Sequence, residues 1–301
     1  MNRLAPRDLI EYASLRLGVA LVDTLPLKTA LSFGRALGSA AHFSLQRRRQ
    51  MARQNILLAG CAADETEAAR IAKESFKSFG MLAIESLAAS RIINADTLGE
   101  HCEFDWPETA RALVDAPGRG VILASAHLGN WEVSGHVGSF RKRTVAVARN
   151  MDNPLAQRFF LRRNPRRNME IIGKHGGGKS LSASIKDGCL LGLICDQHAS
   201  GGGIICDFLG RPAKTITSPA RLHLSTRAPI ICVCCVRVGE MKFKVHSAAP
   251  ISCDAAPADH AAAIRYLTQE INARLGAYIR QYPEQYLWSH NRWREQKQPN
   301  G

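Results

Sequence analysis

The sequence predicts an α/β fold: a mainly parallel central sheet flanked by helices, with an N-terminal helical lobe ahead of it. Three observations carry that prediction. Residues 1 to about 95 are dense in strong helix formers and poor in β-branched runs. From about residue 100, short apolar runs alternate with segments of helical pattern or turn chemistry, the texture of strands joined by crossover helices. At 301 residues and 46% hydrophobic, the chain can bury the core such a fold needs, in one large domain or one plus a smaller lobe. The change of texture divides the chain into a helical, membrane-associating lobe over 1–95 and an α/β domain over 96–301. No repeat or low-complexity linker separates them, so they are expected to share one core.

Taken in order, the elements read as follows. Residues 9–45 are rich in Leu, Ala and Phe but are interrupted by Glu11, Arg16, Asp23, Lys28 and Arg35. No window has the roughly 18 uninterrupted apolar residues of a spanning helix, and no signal-peptide pattern opens the chain. Two readings stay open. Amphipathic helices could lie on a membrane surface, with Arg47, Arg48 and Arg49 meeting lipid phosphates, or an ordinary lobe could turn its charges to water. Pro26 marks a break. GVILASA (120–126), TVAVARN (144–150), MEII (169–172), CLLGLICD (189–196) and PIICVCCVRV (229–238) read as short strands. KFKVHSA (242–248) alternates and follows Gly239, which predicts a hairpin with the preceding strand. Ile264, Leu267, Ile271, Leu275 and Ile279 make one face of an amphipathic helix docked on the core.

Forty Lys+Arg against 26 Asp+Glu leave a formal charge of +14, which favours anionic partners: nucleic acid, acidic lipid, phosphorylated substrates or an acidic carrier protein. Nine cysteines without a regular framework argue for a reducing compartment. The C-x-x-C at Cys232–Cys235 lacks the second pair of a zinc site and lies in a buried strand, where Cys acts as a small hydrophobe.

Three constellations carry candidate chemistry. Composition predicts about one His-x-x-x-x-Asp/Glu pair, and the chain holds two: His127 with Glu132 and His290 with Glu295. Only the first has context, a strand ending at His127, a Gly129-Asn130 turn and a helix beginning near Trp131. That arrangement sets the imidazole at the sheet's carboxyl edge, beside helix amides suited to an oxyanion. Glu132 is expected to orient the ring, as a carboxylate does in a catalytic triad; the competing reading is a capping histidine with a solvated glutamate. His290 with Glu295 reads as coincidence in a charged tail. GKHGGGKS (173–180) matches the phosphate-binding P-loop, with Asp196 as a Walker-type carboxylate. Only one short helix separates Lys179 from Asp196, however, and the competing reading is a glycine-rich loop near the site. RFFLRRNPRR (158–167) suits single-stranded nucleic acid, a lipid interface or a plain charged face.

Several segments in order resemble the bacterial lipid A biosynthesis acyltransferases, the late lauroyl/myristoyl transferases of the lysophospholipid acyltransferase-like superfamily. They are LVDTLPLKTALSFGRALG, RRRQMARQNI, AHLGNWE, ARNMDNP, GLICDQ, FLGRPAKTITSPARL and PEQYLWSHNRW. The resemblance implies an O-acyltransferase moving a fatty acyl chain from an acyl carrier protein or acyl-CoA thioester to a phosphorylated glycolipid. A lysophospholipid or other glycolipid acyltransferase is the runner-up. His127 would be the general base with Glu132; Gly129, Asn130, Arg149, Asn150, Asp196 and Gln197 would bind substrate. No metal or cofactor is called for, since a pantetheine thiolate is already a good leaving group, and no nucleic-acid partner is implied. The implied location is the cytoplasmic face of the inner membrane, peripheral or monotopic. The family often has an N-terminal spanning helix, which is not evident here.

Overall fold

A computed structural model describes residues 5–148, 151–163, 168–173, 178–251 and 257–294. The lobe is four helices: α1 (Pro6–Thr24), α2 (Leu27–Ser44), α3 (Gln46–Leu58) and α4 (Glu65–Ile92). Asp64 caps α4 by accepting from the Glu67 amide. Gly34 and Gly38 of α2 meet Gly80 of α4 backbone to backbone, where any Cβ would collide.

After a short turn of helix, α5 (Leu98–His101), strands and helices alternate. They are β1 (Cys102–Asp105), α6 (Glu108–Asp115), β2 (Val121–Ser125), α7 (Trp131–Arg141), β3 (Thr144–Ala148), α8 (Pro154–Arg163) and β4 (Met169–Gly173). Next come α9 (Gly178–Lys186), β5 (Leu190–Ile194), β6 (Ile204–Phe208), β7 (Arg211–Thr215), α10 (Ser218–Thr226), β8 (Ile230–Gly239), β9 (Lys242–Ser247) and α11 (His260–Gln281). Seven strands form one sheet in the order β1-β9-β8-β2-β5-β3-β4. From β8 to β4 every pairing is parallel. The β8–β9 hairpin is antiparallel, as the alternation after Gly239 predicts, and β1 runs parallel to β9. The sheet is thus mixed but mainly parallel.

The short apolar runs all become strands, and the 264–279 stripe lies on α11. Two features escape the sequence reading: β1, whose CEFD is half charged, and the β6–β7 hairpin, which stands as a separate sheet. Ala52, Ile56, Ala68 and Ile71 of the lobe join the same apolar cluster as Ile122, Leu191 and Ile230 of the sheet. In β8, burial pushes the Cys232 thiol up to about 12, so it is a packed apolar group rather than a thiolate.

Among the described residues no helix is long and apolar enough to cross a membrane. The lobe nevertheless exposes Leu9, Ile10 and Leu17 of α1 and Phe33, Leu37 and Phe43 of α2, the last 82% exposed. Helix α8 packs on α1, with Phe159 edge-on to Tyr12 at 6.1 Å and under the Arg16 guanidinium. Phe159 is therefore partly buried against the lobe. The side chains of 161–167, the rest of that basic segment, lie outside those described.

Candidate active site

The site begins with two neighbouring strands. β2 and β5 pair in parallel with Ser125 opposite Ile194, and the Cys195 amide donates to the Ser125 carbonyl at 2.8 Å. His127 and Asp196 each follow by two residues and therefore meet: Nδ1 of His127 lies 2.8 Å from Oδ1 of Asp196. Asp196 is 2% exposed. Burial alone would raise its carboxyl, but the His127 charge and hydrogen bonds from His127 and the Tyr286 hydroxyl outweigh burial and hold it below its ordinary value. Burial pushes Tyr286 well above the ordinary phenol, so its hydroxyl keeps the proton that it donates.

With a charged acceptor on Nδ1, the neutral imidazole carries its proton there and presents the Nε2 lone pair outward. Gln197 reaches that nitrogen through Nε2 at 3.4 Å. Trp131 stands edge-on to the ring, with centroids 4.9 Å apart.

The turn after His127 is built into the protein. Gly129 has φ +61°, and a Cβ there would collide with the Cys235 carbonyl. Its amide donates to the Gln285 carbonyl at 3.0 Å, and the Leu287 amide donates to the His127 carbonyl at 3.0 Å. Asn130 is fully buried. It caps α7 by accepting from the Val133 amide at 3.1 Å, and it gives Nδ2 to Glu85 at 3.0 Å. Glu85, also fully buried, is clamped by the Nε and Nη2 donors of Arg237. A charge on an apolar face of α4 and another in the apolar run of β8 are sequence signals of this clamp, although nothing in the sequence pairs them.

His127, Glu132 and Gln197 line one cavity of about 1130 Å³. β3 and β5 pair only as far as Ala146 and Gly192, and the cavity opens where they part towards their carboxyl ends. Ala146 with Val147, and Ile171 with Ile172, are neighbours on opposite faces of the sheet, and all four line it. The cavity therefore reaches from α7 on one face to α9 and α10 on the other. Its wall is mostly apolar, with Ser182, Ser218, Arg221 and Ser225 as a polar side.

The sequence-predicted residues divide accordingly. His127, Glu132 and Gln197 share the cavity. Gly129, Asn130 and Asp196, expected to bind substrate, are buried behind it: Asp196 bonds the histidine, and Gly129 and Asn130 build the turn and the helix cap that follow it. Strand register brings the Asp196 carboxylate to Nδ1 of the imidazole, and Glu132, on the first turn of α7, lines the same cavity as His127. Arg149 and Asn150 lie outside the described residues. His290 is no tail residue: its Nε2 accepts from the His198 amide at 3.3 Å and its carbonyl from Asn55 at 2.8 Å. Burial pulls its imidazole down to about 4, so it is neutral near pH 7. Glu295 lies outside the described residues. The P-loop match sits after β4, an edge strand, and Asp196 is spent on His127 rather than turned to that loop. Residues 174–177 of the match lie outside the described residues.

A family model described as bacterial lipid A biosynthesis acyltransferase matches residues 2–295. The chain is similar to the lipid A biosynthesis palmitoleoyltransferase of Escherichia coli K12, 24% identical over 284 residues, covering 90% of this chain and 86% of that one. It is also similar to the phosphatidylinositol mannoside acyltransferase of Mycolicibacterium smegmatis, 26% identical over 203 residues, covering 65% of this chain and 64% of the other.

Proposed function

The chain belongs to the bacterial lipid A biosynthesis acyltransferase family and is an O-acyltransferase, and from that premise we propose its donor, acceptor and mechanism. The donor is an acyl carrier protein thioester, drawn in by the +14 charge, and the acceptor is a hydroxyl of a lipid A precursor or related glycolipid. One observation supports this above all. A histidine backed by a buried carboxylate opens onto a large, mainly apolar cavity, where an acyl chain fits beside a base.

In this mechanism Nε2 of His127 takes the proton of the acceptor hydroxyl as its oxygen attacks the thioester carbonyl. Asp196 keeps the Nδ1 proton in place and stabilises the imidazolium. Amides of the first turn of α7, beside Trp131 and Glu132, face the developing oxyanion. The carbon–sulfur bond then breaks, and the imidazolium returns its proton to the pantetheine sulfur. Glu132 acts from the cavity wall on the acceptor, and Arg149 and Asn150 are assigned to the acceptor's phosphate from the family resemblance alone.

We assign the exposed Leu, Ile and Phe side chains of α1 and α2, with Arg47 nearby, to monotopic contact with the cytoplasmic face of the inner membrane. The mycobacterial relatives favour a second acceptor, a phosphatidylinositol mannoside. Purified protein is incubated with labelled acyl carrier protein or CoA thioesters and a panel of these lipids, and the acylated product is identified by mass. Transfer to a glycolipid that falls at least a hundredfold in His127→Ala is expected. Transfer that survives this substitution would overturn the mechanism.

A further inference from the structure

Helix α10 turns one face to the large cavity. Ser218, Arg221, Leu222 and Ser225 all line it, and they recur at the three- and four-residue steps of a single helical stripe. Leu222 is buried in the main core cluster, with Leu193 of β5 and, packed on it, Ile216. Ser218, Arg221 and Ser225 are exposed. On this side the cavity therefore has an apolar floor and a polar rim.

Arg221 is the one lysine or arginine among the described residues of that lining. Its Nε donates at 3.0 Å to the hydroxyl of Thr217, one turn back along the chain, and Thr217 is buried. The guanidinium is thus held by one edge. Its Nη1 and Nη2 donors bond to no described residue, and no described carboxylate pairs with it. The one carboxylate in the lining, Glu132, comes from α7 on the opposite face of the sheet. The hydroxyls of Ser218 and, from α9, Ser182 are likewise without a bonded partner among the described residues. A fork fixed along one edge has already lost part of its side-chain freedom and presents its outer donors ready for use. Above an apolar floor, it is the complement of an oxyanion carried on an amphiphilic molecule.

We propose that Arg221 is a specificity-determining residue that binds a substrate phosphate, with Ser182 and Ser218 as further donors and Thr217 as its positioning residue. The assignment rests on the acyl-transfer reading, in which both substrates carry such a group. In the donor it is the phosphodiester of the pantetheine arm; in the acceptor it is a phosphate of the glycolipid.

The test sets the residue against the group that it binds. Transfer is measured from an acyl-phosphopantetheine and from the matching acyl-pantetheine, and to a glycolipid with its phosphate and without it. In the wild type, removing the phosphate from one of these partners should lower kcat/KM about tenfold, as loss of a hydrogen bond to a charged group requires. In Arg221→Gln that preference should shrink to less than about twofold, and Arg221→Lys, which keeps the charge without the fork, should restore part of it. A folding defect would lower both members of a pair alike and leave their ratio unmoved. The partner whose ratio collapses is the one whose phosphate is read. A preference that survives Arg221→Gln, or a wild type that transfers with no preference in either pair, overturns the assignment. Binding of the same compounds is measured by calorimetry in His127→Ala, with and without Arg221→Gln, where no transfer is needed. Phosphate-dependent binding that is lost with Arg221, in a protein whose wild type transfers no acyl chain, would sink the acyl-transfer reading and leave this site standing. Binding indifferent to the phosphate overturns the site whether or not transfer occurs.

Discussion

Replacing Asp196 with Asn changes little in shape and removes one charge. Asn can still accept from Nδ1–H of His127, so the ring keeps its place, while the imidazolium formed during transfer loses its counter-charge. With Nδ1 and Oδ1 2.8 Å apart, the charge centres are about 4 Å apart, and at an effective dielectric constant near 20 that attraction is about 4 kcal/mol. At about 1.4 kcal/mol per decade this is roughly a thousandfold in rate. The assay is single-turnover transfer from a labelled thioester at pH 7, with melting temperature measured in parallel. Asp196→Asn should fall about a thousandfold in kcat/KM, chiefly through kcat, while remaining folded. Glu132→Gln should act mainly on the acceptor's KM, because Glu132 lines the cavity and Nδ1 is already taken. A drop of less than tenfold in Asp196→Asn, or a larger loss of kcat in Glu132→Gln, would refute the assignment of the orienting carboxylate.

Three further outcomes are expected. Gly129→Ala combines a positive φ with a collision at the Cys235 carbonyl, so denaturant unfolding should show a loss of more than about 1 kcal/mol, with activity falling alongside. His290 is held down to about 4 from 6.5, so the unfolded chain takes up a proton that the native state refuses. The stability tied to it is whole above pH 6.5 and is lost as pH falls towards 4. The wild type should therefore lose more melting temperature between pH 7 and pH 5 than His290→Gln does, and equal losses would count against a buried neutral imidazole. Binding to liposomes should rise with anionic lipid and weaken with salt, and Phe43→Ser should reduce it; pelleting that ignores both salt and Phe43 would argue against a monotopic lobe.

Features that depend on neighbours along the chain were legible in the sequence. Period and composition marked the helical lobe, five of the parallel-running strands and the stripe of α11, because a helix or a buried strand declares itself within ten residues. The strand-turn-helix at His127 was legible for the same reason, with Gly129 and Asn130 supplying the positive φ and the cap. β1 and the β6–β7 hairpin were not, since their charged and mixed residues carry no clear period. Strand order was decided only in the tertiary structure. Placing β5 between β2 and β3 brings residues 127 and 196 to one edge, and so puts the Asp196 carboxylate on Nδ1 of His127. The same is true of the Glu85–Arg237 clamp and of the cavity where β3 and β5 part. Each joins groups far apart in the chain, and a contact of that kind leaves no period in the sequence, because it exists only once the sheet has set which strands lie side by side.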